Sequence, residues 1–515
     1  MRQMRPADEL IAAADRNVYQ AFRERFPQDP TRLFVESFDG RRITYGEIDP
    51  ITARIAGVLA AHGVSKGARV AGLLDKSPEA ILLYLAVGRL GAVYIPVSTD
   101  LTPPEVEYLL QDAGPKVVVC DPRVAEAIAH VSIAGGHAKV LTLDARGQGS
   151  LIAECARMPA DFPVAEGAGG DPNALVYTSG TTGKPKGAIL TNGLVLWNAF
   201  ALAQTWQITE DDVLLHANPM AFGLFGTTTP ALAGGAALLL VPKFDAGAVL
   251  AALPRATLFS GVPTYYTRLL ARNDFDETLC RNMRLFICGS APMRADVFEE
   301  FAARSGHRLL DRYGLTEALI VTSNLVDDNR HPDTSGLPLP GSRLRVVDEV
   351  GVPVAAGDVG KIEVWQPWMF TGYWRDAEKT RSAFSADGWF LTGDFGRTDA
   401  RGHVSVLGRG TDLIITGGFN VHPKEVEACL NRMPNVAESA VVGVPHRDYG
   451  EAVIAIVELA DKSKSLDGAA IITSMKKELA GFKVPKRIEV VDALPRNTLG
   501  KVQKKLLKTQ FATLV

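Results

Sequence analysis

Apolar and polar residues alternate along the chain in two rhythms. Positions 7–26 repeat at helical spacing, with Leu10, Ile11, Val18 and Phe22 on or near one face. Thr44 and Glu47 make a capping-box pattern ahead of the apolar face Ile48, Ile51, Ile55 and Leu59, and Gly63 ends that helix. Strands are then predicted at 69–74, 92–97 and 116–120, with helices at 77–90 and 103–113 between them. Further strands are predicted at 140–143, 174–177, 188–190, 213–216, 236–241, 257–260 and 285–288. Short β-branched runs separated by helices of ~10–15 residues imply parallel sheets wrapped by helices. Residues 145–170, rich in Ala and Gly, read as a surface connection. Beyond residue 340 the strands shorten and turns crowd in, as at 344–347, 360–365 and 403–407, predicting an antiparallel, barrel-like passage. A compact α+β unit follows Gly408-Arg409-Gly410. The expected division is a large α/β domain over 1–409 and a small α+β domain over 410–515.

A chain of 515 residues is too long for one core, which agrees with that division. Its 47% apolar and 22% charged content are those of an ordinary globular protein. A net charge of −3, with basic and acidic residues interspersed, makes no electrostatic case for nucleic acid. The five cysteines are scattered without a CxxC, which argues for buried thiols in a reducing compartment and against a disulfide frame or zinc site. Asp8, Glu9 and Asp15 interrupt the N-terminal apolar stretch, so it is no signal peptide, and no run approaches the ~20 apolar residues that span a bilayer. The expectation is a cytoplasmic protein with no membrane partner, either monomer or homodimer.

Candidate chemistry concentrates at 176–187, Val-Tyr-Thr-Ser-Gly-Thr-Thr-Gly-Lys-Pro-Lys-Gly, between two apolar strands. Glycines let backbone N–H groups converge, while hydroxyls and ammoniums add donors, a combination suited to a polyphosphate. The spacing is not that of a Walker A loop. The string resembles the signature loop of adenylate-forming enzymes: acyl-CoA synthetases, peptide-synthetase adenylation domains and luciferases. That resemblance implies an acetyl-CoA synthetase-like fold, with ATP phosphates held by Thr178, Ser179, Gly180, Thr181, Thr182, Gly183, Lys184 and Lys186, and Thr181 beside the metal.

Later motifs fall in the family's order. An apolar strand ends in Gly289-Ser290-Ala291, and ligands sit at the carboxyl ends of strands in doubly wound sheets. The string Asp311-Arg312-Tyr313-Gly314-Leu315-Thr316-Glu317 resembles the family's YGxTE motif. By that resemblance Tyr313 meets adenine, Thr316 a phosphate and Glu317 Mg²⁺. Gly289, Ser290 and Ala291 line the adenine slot, and Asp311, Arg312 and Gly314 complete the nucleotide surface. Thr392-Gly393-Asp394 looks like the family's TGD, whose carboxylate accepts the ribose hydroxyls; Gly408-Arg409 matches its GR, with a hinge at Thr411. Ile415-Thr416-Gly417-Gly418-Phe419-Asn420 resembles the loop that lines the CoA pantetheine tunnel, through Gly417 and Gly418. Pro495 to Lys501 resembles PRxxxGK, whose lysine offsets charge between carboxylate and α-phosphate. The implied reaction has two steps: acid and ATP give acyl-AMP and pyrophosphate, then the small domain turns and CoA displaces AMP.

Over nearly the whole chain the likeness is greatest to malonyl-CoA synthetases, which implies Arg284 as a bidentate partner for a distal carboxylate, with Phe222, Ala318 and Leu319 lining the acyl pocket. Two features depart from that group. Pro219-Met220-Ala221-Phe222-Gly223-Leu224-Phe225 carries no histidine, and Ala318-Leu319-Ile320 is more apolar. The expected acid is therefore short: malonate or methylmalonate-like, or else a short- to medium-chain monocarboxylate. A separately loaded peptide-synthetase adenylation domain, a luciferase-like oxygenase and a catalytically silent nucleotide-binding protein are the rival readings.

Overall fold

The computed structural model describes residues 5–514 apart from 134–135, 179–184, 292, 328–329, 417–418, 447–448, 480 and 498–499. Two sheets form the large domain. The first has six strands in the order Lys186–Thr191, Pro172–Thr178, Val93–Val97, Arg69–Leu73, Val117–Cys120 and Lys139–Thr142. It is parallel except where the first two strands form an antiparallel hairpin. The second has nine strands, and its parallel centre runs Leu310–Leu315, Leu285–Gly289, Leu258–Gly261, Val213–His216, Ala237–Leu240 and Leu33–Glu36. The sequence signals for these helices are visible as caps. Thr44 and Thr102 each close a capping box with the glutamate three residues on, and Ser77 accepts from the Ala80 N–H.

Between the sheets lies helix Asn192–Thr205, of which all but one of 14 residues is buried. Its apolar side chains cover every side, so it has no solvent face and no amphipathic period. The sequence reading passed over it for that reason. Two other expectations change. Positions 7–26 form two helices, Ala7–Ala13 and Val18–Arg23, because the Asn17 side chain caps the second by accepting from Tyr19 and Gln20 N–H. The expected connection at 145–170 contains a helix, Ser150–Cys155.

The antiparallel passage beyond residue 340 is a meander of four strands, Arg343–Val347, Gly360–Trp365, Phe390–Thr398 and Val404–Arg409, and it remains an open sheet. The small domain is built on five strands. Val436–His446 and Gly450–Leu459 form its long hairpin, and helices Pro423–Leu430 and Gly468–Met475 pack on it. All five cysteines are free and buried. Among the described residues no helix is long and apolar enough to cross a membrane.

Candidate active site

The carboxyl ends of strands Leu285–Gly289 and Leu310–Leu315 stand side by side, with Gly289 in register with Arg312. A side-chain carbon on Gly289 would lie 2.6 Å from Arg312 Nε, so only glycine lets the guanidinium cross there. Arg312 Nη2 reaches Ser290 Oγ at 3.5 Å, while its buried Nε has no partner among the described residues. Ser290 takes a left-handed conformation, φ +72°. Ala291 follows directly and is half-buried.

Side chains on a strand alternate between faces. Tyr313 therefore points away from Arg312, toward the four-stranded sheet, where its hydroxyl donates to Asp394 Oδ2 at 2.5 Å. Asp394 faces Arg409 across neighbouring strands, and Arg409 Nε meets its Oδ1 at 2.9 Å. Burial pushes the Asp394 carboxyl up, and the Arg409 charge and the Tyr313 bond pull it back. Each of its oxygens retains a lone-pair site for an incoming hydroxyl. Lys501, on the small domain, lies within electrostatic reach of this group. Its side chain reaches solvent, yet desolvation and then the Arg409 charge hold its pKa below the ordinary lysine range, against the pull of Asp412 and Asp394.

Glu317 lies in the turn between strands Leu310–Leu315 and Leu319–Ser323, together with the half-buried Thr316. Its Oε1 accepts from Tyr373 at 2.7 Å, a partner absent from the sequence reading. Tyr373 belongs to a segment that pairs with strand Lys186–Thr191: Ile189 N–H donates to Gly372, Thr371 N–H to Ile189 and Trp374 N–H to Gly187. Lys186 lies over the Tyr373 ring at 5.9 Å and pairs with Asp376 at 3.3 Å. The strand that leaves the loop expected to hold phosphates and the carboxylate expected to hold a metal thus share one support. Gly-Tyr-Trp-Arg-Asp at 372–376, an aromatic pair beside a glycine, was the available signal. Among the described residues no three carboxylate, His or Cys side chains gather as a metal site. A single carboxylate suits Mg²⁺, which takes few protein ligands and arrives with substrate phosphates.

Several expected residues stand elsewhere. Arg284 precedes its strand, at the end opposite Gly289 and ~16 Å away at ~3.3 Å per residue. It is engaged there, with Nη2 on Asp212 Oδ2 at 2.8 Å, Nε on Oδ1 at 3.2 Å, and Nη1 on the Trp206 carbonyl at 2.9 Å. It cannot anchor an acid at the carboxyl ends of the strands. Asp311 shares the Tyr313 face but sits behind it, accepting from Ser335 Oγ at 3.5 Å and its neighbour's N–H, so its carboxylate does not line the nucleotide slot. Ala318 is buried among Val321, Ile362, Val364 and Val404 and faces the four-stranded sheet rather than a pocket. Leu319 begins the return strand at φ +52° and packs on the core between the large sheets. Gly314 passes beneath it, and a side-chain carbon there would fall 2.1 Å from the Leu319 carbonyl. His216, missed in the sequence, closes strand Val213–His216 beside Gly223. It is 1% exposed, neither nitrogen has a hydrogen-bond partner among the described residues, and burial keeps its pKa well below the usual range, so it is neutral. Ser179, Gly180, Thr181, Thr182, Gly183, Lys184, Gly417 and Gly418 lie outside the described residues, as do the side chains of Thr178, Phe222 and Thr411.

Two family descriptions match this chain: AMP-binding enzyme over residues 21–374 and AMP-binding enzyme C-terminal domain over 425–501. The chain belongs to the AMP-binding enzyme family. It is an ATP-dependent acyl-CoA synthetase that joins an acid to CoA through an acyl-adenylate. Among AMP-binding relatives, a feruloyl-CoA synthase of an Amycolatopsis species is 36% identical over 92% of this chain and 94% of its own. A malonate–CoA ligase of Arabidopsis thaliana is 30% identical over 98% of this chain and 90% of its own. The ATP-bound crystal structure of MatB from Rhodopseudomonas palustris is 44% identical, covers 97% of this chain and 99% of its own, and superposes with a TM-score of 0.94. The apo structure of the same AMP-binding enzyme gives 0.84.

Proposed function

We propose that this synthetase activates a short carboxylic acid, with malonate or a methylmalonate-like acid as the first reading. The observation that carries the adenylate-forming chemistry is the convergence of Tyr313, Asp394, Arg409 and the approaching Lys501. In the first half-reaction the acid's carboxylate oxygen attacks the α-phosphorus of ATP and pyrophosphate leaves. Asp394 and Arg409 orient the ribose, Tyr313 and the Gly289–Ala291 slot take the adenine, and the Lys501 ammonium offsets charge between the reacting oxygens. Glu317, with Tyr373 fixing one oxygen, and Thr181 would hold Mg²⁺, whose charge neutralises the phosphates. In the second half-reaction the small domain rotates at 410–412, withdrawing Lys501 and bringing Gly417 and Gly418 to the tunnel where the CoA sulfur attacks the acyl carbonyl and AMP leaves.

Malonate is supported by the malonate–CoA ligase relative and by the likeness to MatB. The second reading, a short- to medium-chain monocarboxylate, is favoured by Arg284 being held by Asp212 and by the neutral His216. Initial rates of AMP formation with malonate, methylmalonate, propionate, butyrate and longer acids decide between them. Preference for a monocarboxylate over malonate would remove the first reading, and no acid-dependent AMP from any member of the series would remove both.

A further inference from the structure

A half-buried cation that this chemistry does not use sits where the two domains meet. Lys424 lies in the first turn of helix Pro423–Leu430 of the small domain, and its Nζ donates to the Val406 carbonyl on strand Val404–Arg409 of the large domain. Charged groups face it from every side: Asp311 on strand Leu310–Leu315, Asp333, Arg397 on strand Phe390–Thr398, and Glu427 on its own helix. Glu427 is already occupied, by Lys504 at 2.6 Å and by the Val441 N–H at 2.8 Å. Asp311 is not. It is 6% exposed and has Ser335 Oγ and one N–H as its hydrogen-bonding neighbours. Burial pushes its carboxyl up to about 7, and the Lys424 charge is the largest influence drawing it back. Burial likewise holds Lys424 below the lysine range, with Asp311 first among the charges opposing it.

We propose that Lys424 is a positioning residue for adenylation: seated on the Val406 carbonyl and drawn by the charge of the buried Asp311, it ties the small domain in the orientation that brings Lys501 to Asp394 and Arg409. The seat has one half on each domain, so rotation of the small domain separates it. Other cross-domain contacts among the described residues include an Arg294–Asn431 carbonyl bond of 3.3 Å, the tilted Phe395–His422 ring pair at 5.4 Å and the packing of Gly500 on Thr264. A half-buried hydrogen bond from a charged donor outweighs such contacts. A contact made in one of two orientations shifts the population toward it by its own free energy. Lys424 therefore acts on the half-reaction that needs Lys501 and not on the one that follows.

This inference rests on the two-orientation reading, and the experiment separates the two. Acid-dependent ATP–pyrophosphate exchange and thioester formation from supplied acyl-AMP and CoA are measured for wild type, Lys424→Met, Lys424→Arg, Asp311→Asn, the double variant Lys424→Met/Asp311→Asn, and Lys501→Ala. Lys424→Met lowers exchange about tenfold or more, the effect of losing a hydrogen bond to a charged group, and leaves thioester formation near wild type. Lys424→Arg recovers part of the loss, and the double variant is no worse than its poorer parent, because the two residues act through one charge interaction. Asp311→Asn gives the same split without touching the small domain, which guards against a Lys424 variant that folds badly. Equal losses in both half-reactions for Lys424→Met and Asp311→Asn, beside a Lys501→Ala that does separate them, overturn the tie. A Lys501→Ala that loses both equally overturns the two-orientation reading beneath it.

Discussion

Single side chains show how separate motifs can meet at one place. Tyr313, Asp394 and Arg409 are far apart in the chain, yet each motif carried its own polar group, and the fold brings the three into hydrogen-bonding contact. Arg284 failed because a residue's end of its strand decides whether it can reach the site, and an arginine before an apolar run looks the same at either end. We expect Arg284→Ala to leave the relative rates with different acids unchanged and to lower stability by about 1–3 kcal/mol, since the nearly buried Asp212 loses its cationic partner. Thermal melting beside the acid series checks both halves. Tyr373→Phe should raise the Mg²⁺ concentration for half-maximal adenylation about tenfold, because Glu317 loses the bond that orients it. An unchanged magnesium titration would detach Tyr373 from the metal. Lys501 supplies a pH test. Its ammonium is the active form and its pKa is depressed, so adenylation should fall as pH rises, at a pH below that of an ordinary lysine near ~10.4. Lys501→Arg stays charged throughout and should lose that alkaline limb, whatever its absolute rate.

Among elements, the alternation of strands and helices was legible because parallel strands are short, apolar and separated by capped helices. Helix Asn192–Thr205 was not, since burial on all sides erases the period that reveals a helix. The two-faced strand Leu310–Leu315 was half legible. Period two predicts that Asp311 and Tyr313 share a face, but only the packed four-stranded sheet shows that the aspartate sits behind the tyrosine rather than beside the nucleotide. The turn after that strand is tight enough to test. Gly314→Ala should drive a side-chain carbon into the Leu319 carbonyl, a backbone group that cannot swing aside. The expected outcome is a loss of stability above ~2 kcal/mol and a collapse of pyrophosphate exchange, read by melting and by exchange rate. An active, fully stable variant would mean that the turn opens more readily than its packing suggests.

For the molecule as a whole, the division into a large and a small domain followed from length and from the change of strand style, whereas their relative orientation did not. Contacts across the junction come from residues with unremarkable sequence surroundings, such as Lys424 and Arg294. Their value appears only when both domains are in place.

One seam has a practical meaning for anyone grafting parts between such enzymes. The strand that leaves the glycine-rich loop is stitched by main-chain bonds to 371–374, and through Tyr373 to Glu317. A transplanted loop would arrive without its tailor-made lining, so 371–376 should travel with it as a single cassette.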